Sequence, residues 1–181
     1  MTCIVGLVRK GRVYLGGDSA GVSGLDIVAR KDTKVFFNGE FIMGFTSSFR
    51  MGQVLQYDFK PPEIGDHDDD LMAFMVRKFI PAVRESFKEA GYVRVDSQRE
   101  SGGCFLVGVR GRLFQIDSDF QVGENLMGYA AVGCGEAYAL GSLFTTGSDK
   151  TLKPEWRLQK ALEAAANFSG GVCEPFNFVE V

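Results

Sequence analysis

Residues 1–21 read MTCIVGLVRKGRVYLGGDSAG. Two apolar, β-branched segments, 3–8 and 12–15, flank the turn pair Lys10-Gly11, the pattern of a β-hairpin. Gly16-Gly17 closes it and Asp18 follows. The first strand therefore starts directly behind Thr2, although chain termini are usually loose. An N-terminus built into a sheet fixes the hydroxyl of Thr2 in place, and that decides how the rest of the chain is read.

Further along, Asn38-Gly39 separates the apolar runs 34–37 and 40–45, the strongest short hairpin signal in the sequence. The span 19–32 is mixed and reads as loop. Ser47 or Ser48 is placed to cap a helix running to about Phe59. After a Pro-, Gly- and Asp-rich loop, Leu71, Phe74, Met75, Phe79, Ala82, Val83 and Phe87 recur at helical spacing. They predict a long helix from about Asp68 to Ala90, kinked at Pro81 and ended by Gly91. A second set of strands follows at 104–109, 112–116, 120–122 and 127–132. Helices at 136–144 and 156–168 and a closing strand at 172–181 complete the chain. Strand pairs alternating with helix pairs predict two antiparallel sheets covered by helices, an α+β architecture in one domain spanning 1–181.

Composition narrows the function. The chain has 181 residues, 45% of them hydrophobic and 24% charged, with a net charge of −3. This is the profile of a globular domain able to bury a core, and nothing in it points to nucleic acid. No apolar run approaches the length of a membrane span, and no secretory signal is visible. The cysteines Cys3, Cys104, Cys134 and Cys173 are scattered, without a CxxC pair. Reduced thiols in the cytoplasm are the expectation. The one histidine, His67, sits in the run Gly65-Asp66-His67-Asp68-Asp69-Asp70. That run could be a metal site, but a solvated loop at a helix start explains it better. A Ser-His-Asp hydrolase would have to use His67, and the GxSxG elbow is missing.

Thr2 offers a route without histidine. A small second residue permits removal of Met1. The threonine then carries its own α-amino group, and an amine of pKa about 7.7–8.0 can take the hydroxyl proton near neutral pH. Composition alone leaves Thr2 equally readable as an ordinary terminal residue.

The full chain resembles the proteasome β-type subunits, and among them the HslV-type peptidases. The likeness runs from T-x-I-V-x-x-x-x-x-G-x-V-x-x-G-G-D at 2–18 to D-T-K-V at 32–35. It continues through I-M-G-F-T-S-S, V-G-C-G-E-A-Y-A-L-G and S-G-G-V. It implies the N-terminal nucleophile hydrolase fold, a four-layer αββα sandwich of two antiparallel sheets. It also implies a threonine peptidase assembled as a homo-oligomeric ring, fed with protein or peptide substrate by an ATP-dependent unfoldase. With Met1 alone before Thr2, the expectation is loss of the methionine and no propeptide.

Thr2 then matches the nucleophile, Lys34 the essential lysine and Asp18 the aspartate that holds it. Ser47 stands where the family has a glycine whose N–H serves the oxyanion. Cys134, in Gly133-Cys134-Gly135, replaces a serine beside the threonine amine, and Ser169 fits the family's later serine. Gly21, Asp32, Phe45 and Phe49 correspond to the pocket beside the nucleophile, where Asp32 would favour a basic side chain. No cofactor is required. The carbonyls of Gly170, Cys173 and Phe176 correspond to a structural cation site of sodium or magnesium type. Two other classes remain open here: a catalytically silent, proteasome-like structural subunit, motivated by Ser47 and Cys134, and an N-terminal nucleophile amidase acting on a small molecule. Cys3 as nucleophile is a remote fourth reading.

Overall fold

The structure is a computed structural model, and it describes residues 1–65, 67–96 and 99–181. Strand β1 (Cys3–Arg9) starts directly behind Thr2 and pairs with β2 (Arg12–Gly17) in a register running from Ile4–Gly17 to Arg9–Arg12. Lys10 and Gly11 both adopt positive φ, +51° and +73°, the geometry that matches a two-residue turn to the twist of its strands. Gly16 and Gly17 are the last two residues of β2.

Alternation along β1 sorts its side chains. Cys3, Val5 and Leu7 pack with Ala139, Leu143, Leu158 and Leu162, whereas Ile4 packs with Val35, Ile42 and Leu106. Thr2 belongs to the Ile4 side of that alternation.

The span read as loop holds a hairpin, β3 (Ala20–Ser23) and β4 (Asp26–Ala29), turning at Gly24. Every residue of β4 is exposed, so no buried face imposed a readable pattern. Strands β5 (Val35–Asn38) and β6 (Phe41–Phe45) pair across Gly39. Helix α1 (Phe49–Gln53) is capped by the Ser48 hydroxyl, which accepts from the Arg50 N–H at 3.1 Å, and runs on as a π-helical turn, Val54–Asp58.

The long helix is α2 (Leu71–Phe74), a π-helical turn Met75–Phe79, and α3 (Ile80–Glu89), with Asp70 as N-cap. Pro81 falls at the start of α3, directly after the π-helical turn, within an unbroken helical run. A short hairpin pairs β7 (Arg94–Asp96), exposed throughout, with β8 (Arg99–Ser101), and no local signal in the sequence marks it. Then come β9 (Phe105–Val109), β10 (Arg112–Ile116), β11 (Val122–Gly123), β12 (Tyr129–Gly133), α4 (Glu136–Thr146), α5 (Pro154–Phe168) and β13 (Asn177–Glu180). The closing strand is thus shorter than the predicted 172–181, because the segment before it is recruited to the site described below.

One sheet has the order β12-β1-β2-β13 and the other β11-β10-β9-β6-β5, all antiparallel. Three apolar clusters separate four layers. One lies between α4/α5 and the first sheet, one between the two sheets, and one between the second sheet and α1–α3. This is the expected αββα sandwich. Its inner interface is tight: a Cβ added to Gly44 on β6 would lie 2.5 Å from Ile4 Cγ2 on β1.

Gly133, at the end of β12, has φ +106°, and a Cβ there would lie 2.3 Å from the Thr2 carbonyl oxygen. Backbone cannot yield as a flexible side chain can. The Gly133→Ala variant is expected to lose about 2 kcal/mol or more in urea unfolding and to displace the strand that carries Thr2. An unchanged unfolding midpoint would contradict this packing.

Candidate active site

Thr2 precedes β1, Asp18 follows β2 and Lys34 precedes β5, so all three stand at one end of the space between the sheets. Each is almost fully buried, at 4%, 0% and 1% exposure. Lys34 Nζ donates to Thr2 Oγ1 and to Asp18 Oδ1, both at 2.8 Å. Asp18 Oδ1 also accepts the Cys3 N–H at 3.0 Å, and Oδ2 accepts those of Ala20 at 2.8 Å and Cys173 at 3.4 Å. The carboxylate is thereby fixed in direction. Burial pushes the pKa of the Lys34 ammonium down, against the opposing pull of Asp18.

With Met1 in place, the Thr2 hydroxyl donates to the Met1 carbonyl in a short hydrogen bond, and Met1 rests over Gly171. The Thr2 backbone N–H, the atom that a cut before Thr2 turns into an α-amino group, donates to Cys134 Sγ at 3.3 Å. Ser169 Oγ reaches the same sulfur at 3.2 Å. Cys134, expected beside the amine, and Ser169, matched to the later serine, therefore meet there.

Ser47 faces the site across a cleft of about 500 Å³ lined by Thr2, Thr46, Ser47, Cys104, Asp117 and Glu136. Its φ is +64°, a backbone region where side chains are costly. The residue meets that cost locally, since Ser47 Oγ accepts the Cys104 N–H at 3.2 Å and Thr46 Oγ1 donates to the Cys104 carbonyl at 3.0 Å. The turn keeps a glycine-like conformation without a glycine.

On the other side, Phe45 and Phe49 meet edge to face at 5.6 Å, and Lys34 Nζ lies 5.6 Å from the Phe49 ring centre. Asp32 is not a free acid: Arg30 grips it with two hydrogen bonds of 2.8 Å and lays its guanidinium 3.9 Å over Phe49. The Arg30 chain passes against Gly21. The pocket residues come together around Arg30, a residue that sequence reasoning missed because nothing local marks it. This pairing lowers the pKa of Asp32 and weakens the case for Asp32 as a receptor for basic side chains.

Cys3 points to the helix side of β1, and burial, reinforced by Asp18, pushes its thiol pKa far up. It is held as a protonated core residue, with no nucleophilic character. Of the carbonyls expected at a cation, that of Cys173 accepts the Ser19 N–H at 3.0 Å and keeps one lone pair. These are oxygen donors of the kind a hard cation takes. What the segment visibly does is hold Asp18 through the Cys173 N–H. In the acidic run, Asp66 lies outside the described residues, Asp68 pairs with Lys78 at 2.7 Å, and Asp70 caps α2. Among the described residues no cluster of His, Cys, Asp or Glu is arranged to hold a metal. Likewise, no helix among them is long and apolar enough to cross a membrane.

No family model matches the chain, and no curated protein matches it in sequence. Solved structures do match. BPH of Thiobacillus denitrificans, in complex with epoxomicin, aligns over 99% of this chain and 98% of its own with a TM-score of 0.81 at 19% identity. HslV from Trypanosoma brucei aligns over 99% and 98%, with a TM-score of 0.72 at 18% identity. The Anbu Gly-1 mutant from Hyphomicrobium sp. strain MC1 aligns over 100% of this chain and 82% of its own, with a TM-score of 0.69 at 18% identity. The chain has the fold of HslV-type, proteasome-like subunits. The expected αββα sandwich is thus matched in three dimensions by these structures.

The ion pair sets a stability order. Asp18→Asn leaves a buried ammonium without its counter-charge and should cost about 3–5 kcal/mol. Lys34→Met should cost less, because Asp18 keeps three backbone donors. The folded-state pKa of Lys34 lies below its ordinary 10.5. Between those two values the unfolded chain binds a proton that the folded chain does not. The stability of wild type relative to Lys34→Met should therefore rise with pH across that window, read by urea unfolding from pH 7 to 10. The reverse order, or a fall with pH, would refute this account of the pair.

Proposed function

We propose that the protein is an N-terminal threonine peptidase subunit. The observation that supports it most is the Lys34 ammonium, shared at 2.8 Å between Thr2 Oγ1 and Asp18 Oδ1 in a buried site. After cleavage before Thr2, the free α-amine takes the proton from Thr2 Oγ1, whose anionic character the adjacent cation favours. The oxygen attacks a peptide carbonyl, and the oxyanion is received by the Ser47 N–H. The C–N bond breaks as the leaving amine takes the proton back from the α-ammonium. Water, deprotonated by the same amine, then cleaves the ester and frees Thr2. Asp18 holds Lys34 in line throughout, and Cys134 with Ser169 positions the amine. By resemblance, the setting is a cytoplasmic homo-oligomeric ring supplied with unfolded protein by an ATP-dependent unfoldase.

A catalytically silent subunit is the second reading, favoured by the non-glycine Ser47 at positive φ and by a thiol in place of a hydroxyl beside the amine.

Intact-mass measurement with a peptide epoxyketone separates the two. A chain beginning at Thr2 that gains one adduct, lost in Thr2→Ala, is the peptidase outcome. Peptide hydrolysis by Thr2→Ala should drop by about 10³-fold or more, and Thr2→Ser should retain part of the rate. The active enzyme should lose rate below about pH 7.7–8.0 as the α-amine protonates. A Thr2 terminus that takes no adduct and cleaves nothing would leave the silent subunit.

A further inference from the structure

At the far end of β1, roughly 20 Å from Thr2 by strand rise, lies a cavity of about 560 Å³. It opens between the end of β1, the start of β12 and the connection from α4 to α5. Its lining combines the cations Arg9, Lys150 and Arg157 and the single carboxylate of Asp149 with an apolar wall that includes Tyr129 and Phe144.

Arg12, Arg30, Arg84, Arg110 and Arg112 each form an ion pair with a carboxylate. Among the described residues, Arg9 and Arg157 form none, although the charge of Arg9 is felt by Asp149. Arg9 donates to the carbonyls of Leu152 and Lys150; Arg157 donates to the Leu143 carbonyl at 2.8 Å and to Thr146 Oγ1 at 3.2 Å. Lys150 Nζ meets the Gly147 carbonyl at 3.0 Å. Carbonyls at the end of α4 offset only about half a charge. Asp149 is engaged with the N–H and hydroxyl of Thr151, at 2.8 and 2.7 Å. Burial, and after it the charge of the nearby Arg9, pushes the pKa of Arg157 down. Like charges held together around a cavity, with donors to spare on both guanidiniums, form a receptor for an anion.

We propose that this cavity binds a carboxylate carried on an apolar body, the chemistry of a peptide's C-terminal residue or of a small carboxylic acid. The forked guanidiniums suit a two-oxygen anion. Asp149 at the rim disfavours a dianion such as phosphate, and Phe144 and Tyr129 give the attached apolar group a surface. Neither Thr2 nor any residue of the cleft takes part, so the site stands apart from the peptidase reading.

Calorimetric titration of the full chain tests it, with N-acetyl-phenylalanine, N-acetyl-phenylalaninamide, inorganic phosphate and a hexapeptide ending in phenylalanine as probes. The free acid should bind at least about tenfold more tightly than the amide and more tightly than phosphate, with an affinity that falls as salt rises. Lys150→Glu, an exposed change that spares the fold, should weaken the acid about tenfold without moving Tm. Arg157→Lys should weaken it about fivefold, because a lysine cannot fork. Thr2→Ala should bind as wild type does. Tighter binding of the hexapeptide assigns the site to peptide C-termini and equal binding to small acids; both support the proposal. Equal affinity for acid and amide, preference for phosphate, indifference to Lys150→Glu, or no heat up to about 10 mM acid would overturn it.

Discussion

The buried pair of Lys34 and Asp18 is the constraint around which this molecule is arranged. An ammonium removed from water needs a fixed partner of opposite charge, and the partner needs its remaining lone pairs filled. Asp18 fills them with backbone N–H groups from Cys3, Ala20 and Cys173. One carboxylate therefore joins the start of β1, the start of β3 and the segment after α5. The closing stretch stays irregular up to Asn177 because the Cys173 N–H serves the aspartate and its carbonyl serves Ser19. Sheet pairing there would compete for both groups.

The same pair explains why Thr2 is ordered at the tip of the chain. Three kinds of contact hold it: the ammonium at its hydroxyl, the thiol of Cys134 at its nitrogen, and the close passage of Gly133 by its carbonyl. Pleating does the aiming. Because Cys3, Val5 and Leu7 are committed to the α4/α5 interface, position 2 falls on the inter-sheet side, where Lys34 arrives. A one-residue slip of β1 would turn the hydroxyl towards the helices and bring the Cys3 thiol to the ammonium. The packed register thus decides whether a hydroxyl or a thiol meets the ammonium.

Much of this was legible in the sequence because it rests on local signals. The hairpin turns at Lys10-Gly11 and Asn38-Gly39 and the helical spacing from Leu71 to Phe87 come from short-range chemistry and one buried face. Thr2, Asp18 and Lys34 could be named through the order of motifs, though their convergence depends on sheet topology that no window of residues contains. Elements without a buried face escaped: β4 and β7 are exposed throughout, and exposure removes the periodicity that marks a strand. Arg30 was invisible for a different reason. An exposed arginine becomes a pocket residue only when Phe49 and Asp32 are brought beside it in space.

The two departures from the motif look alike in sequence and differ in structure. Ser47 keeps the N–H that the family's glycine supplies, and its side chain offsets the unfavourable φ by holding Cys104. The change is absorbed by a local hydrogen bond, so the turn keeps its left-handed backbone. Cys134 alters the chemistry next to the amine itself. A sulfur accepts weakly and at longer range than an oxygen, and the contacts at 3.2 and 3.3 Å with Ser169 and Thr2 place it as the joint between them. A weaker acceptor stabilises the ammonium form of the amine less, which shifts the balance towards the free base that the reaction needs. On that reasoning the thiol costs positioning and favours basicity. The geometry around Cys134 is therefore compatible with a working site, and it makes Cys134, more than Ser47, the residue whose chemistry sets how this site differs from one with a serine there.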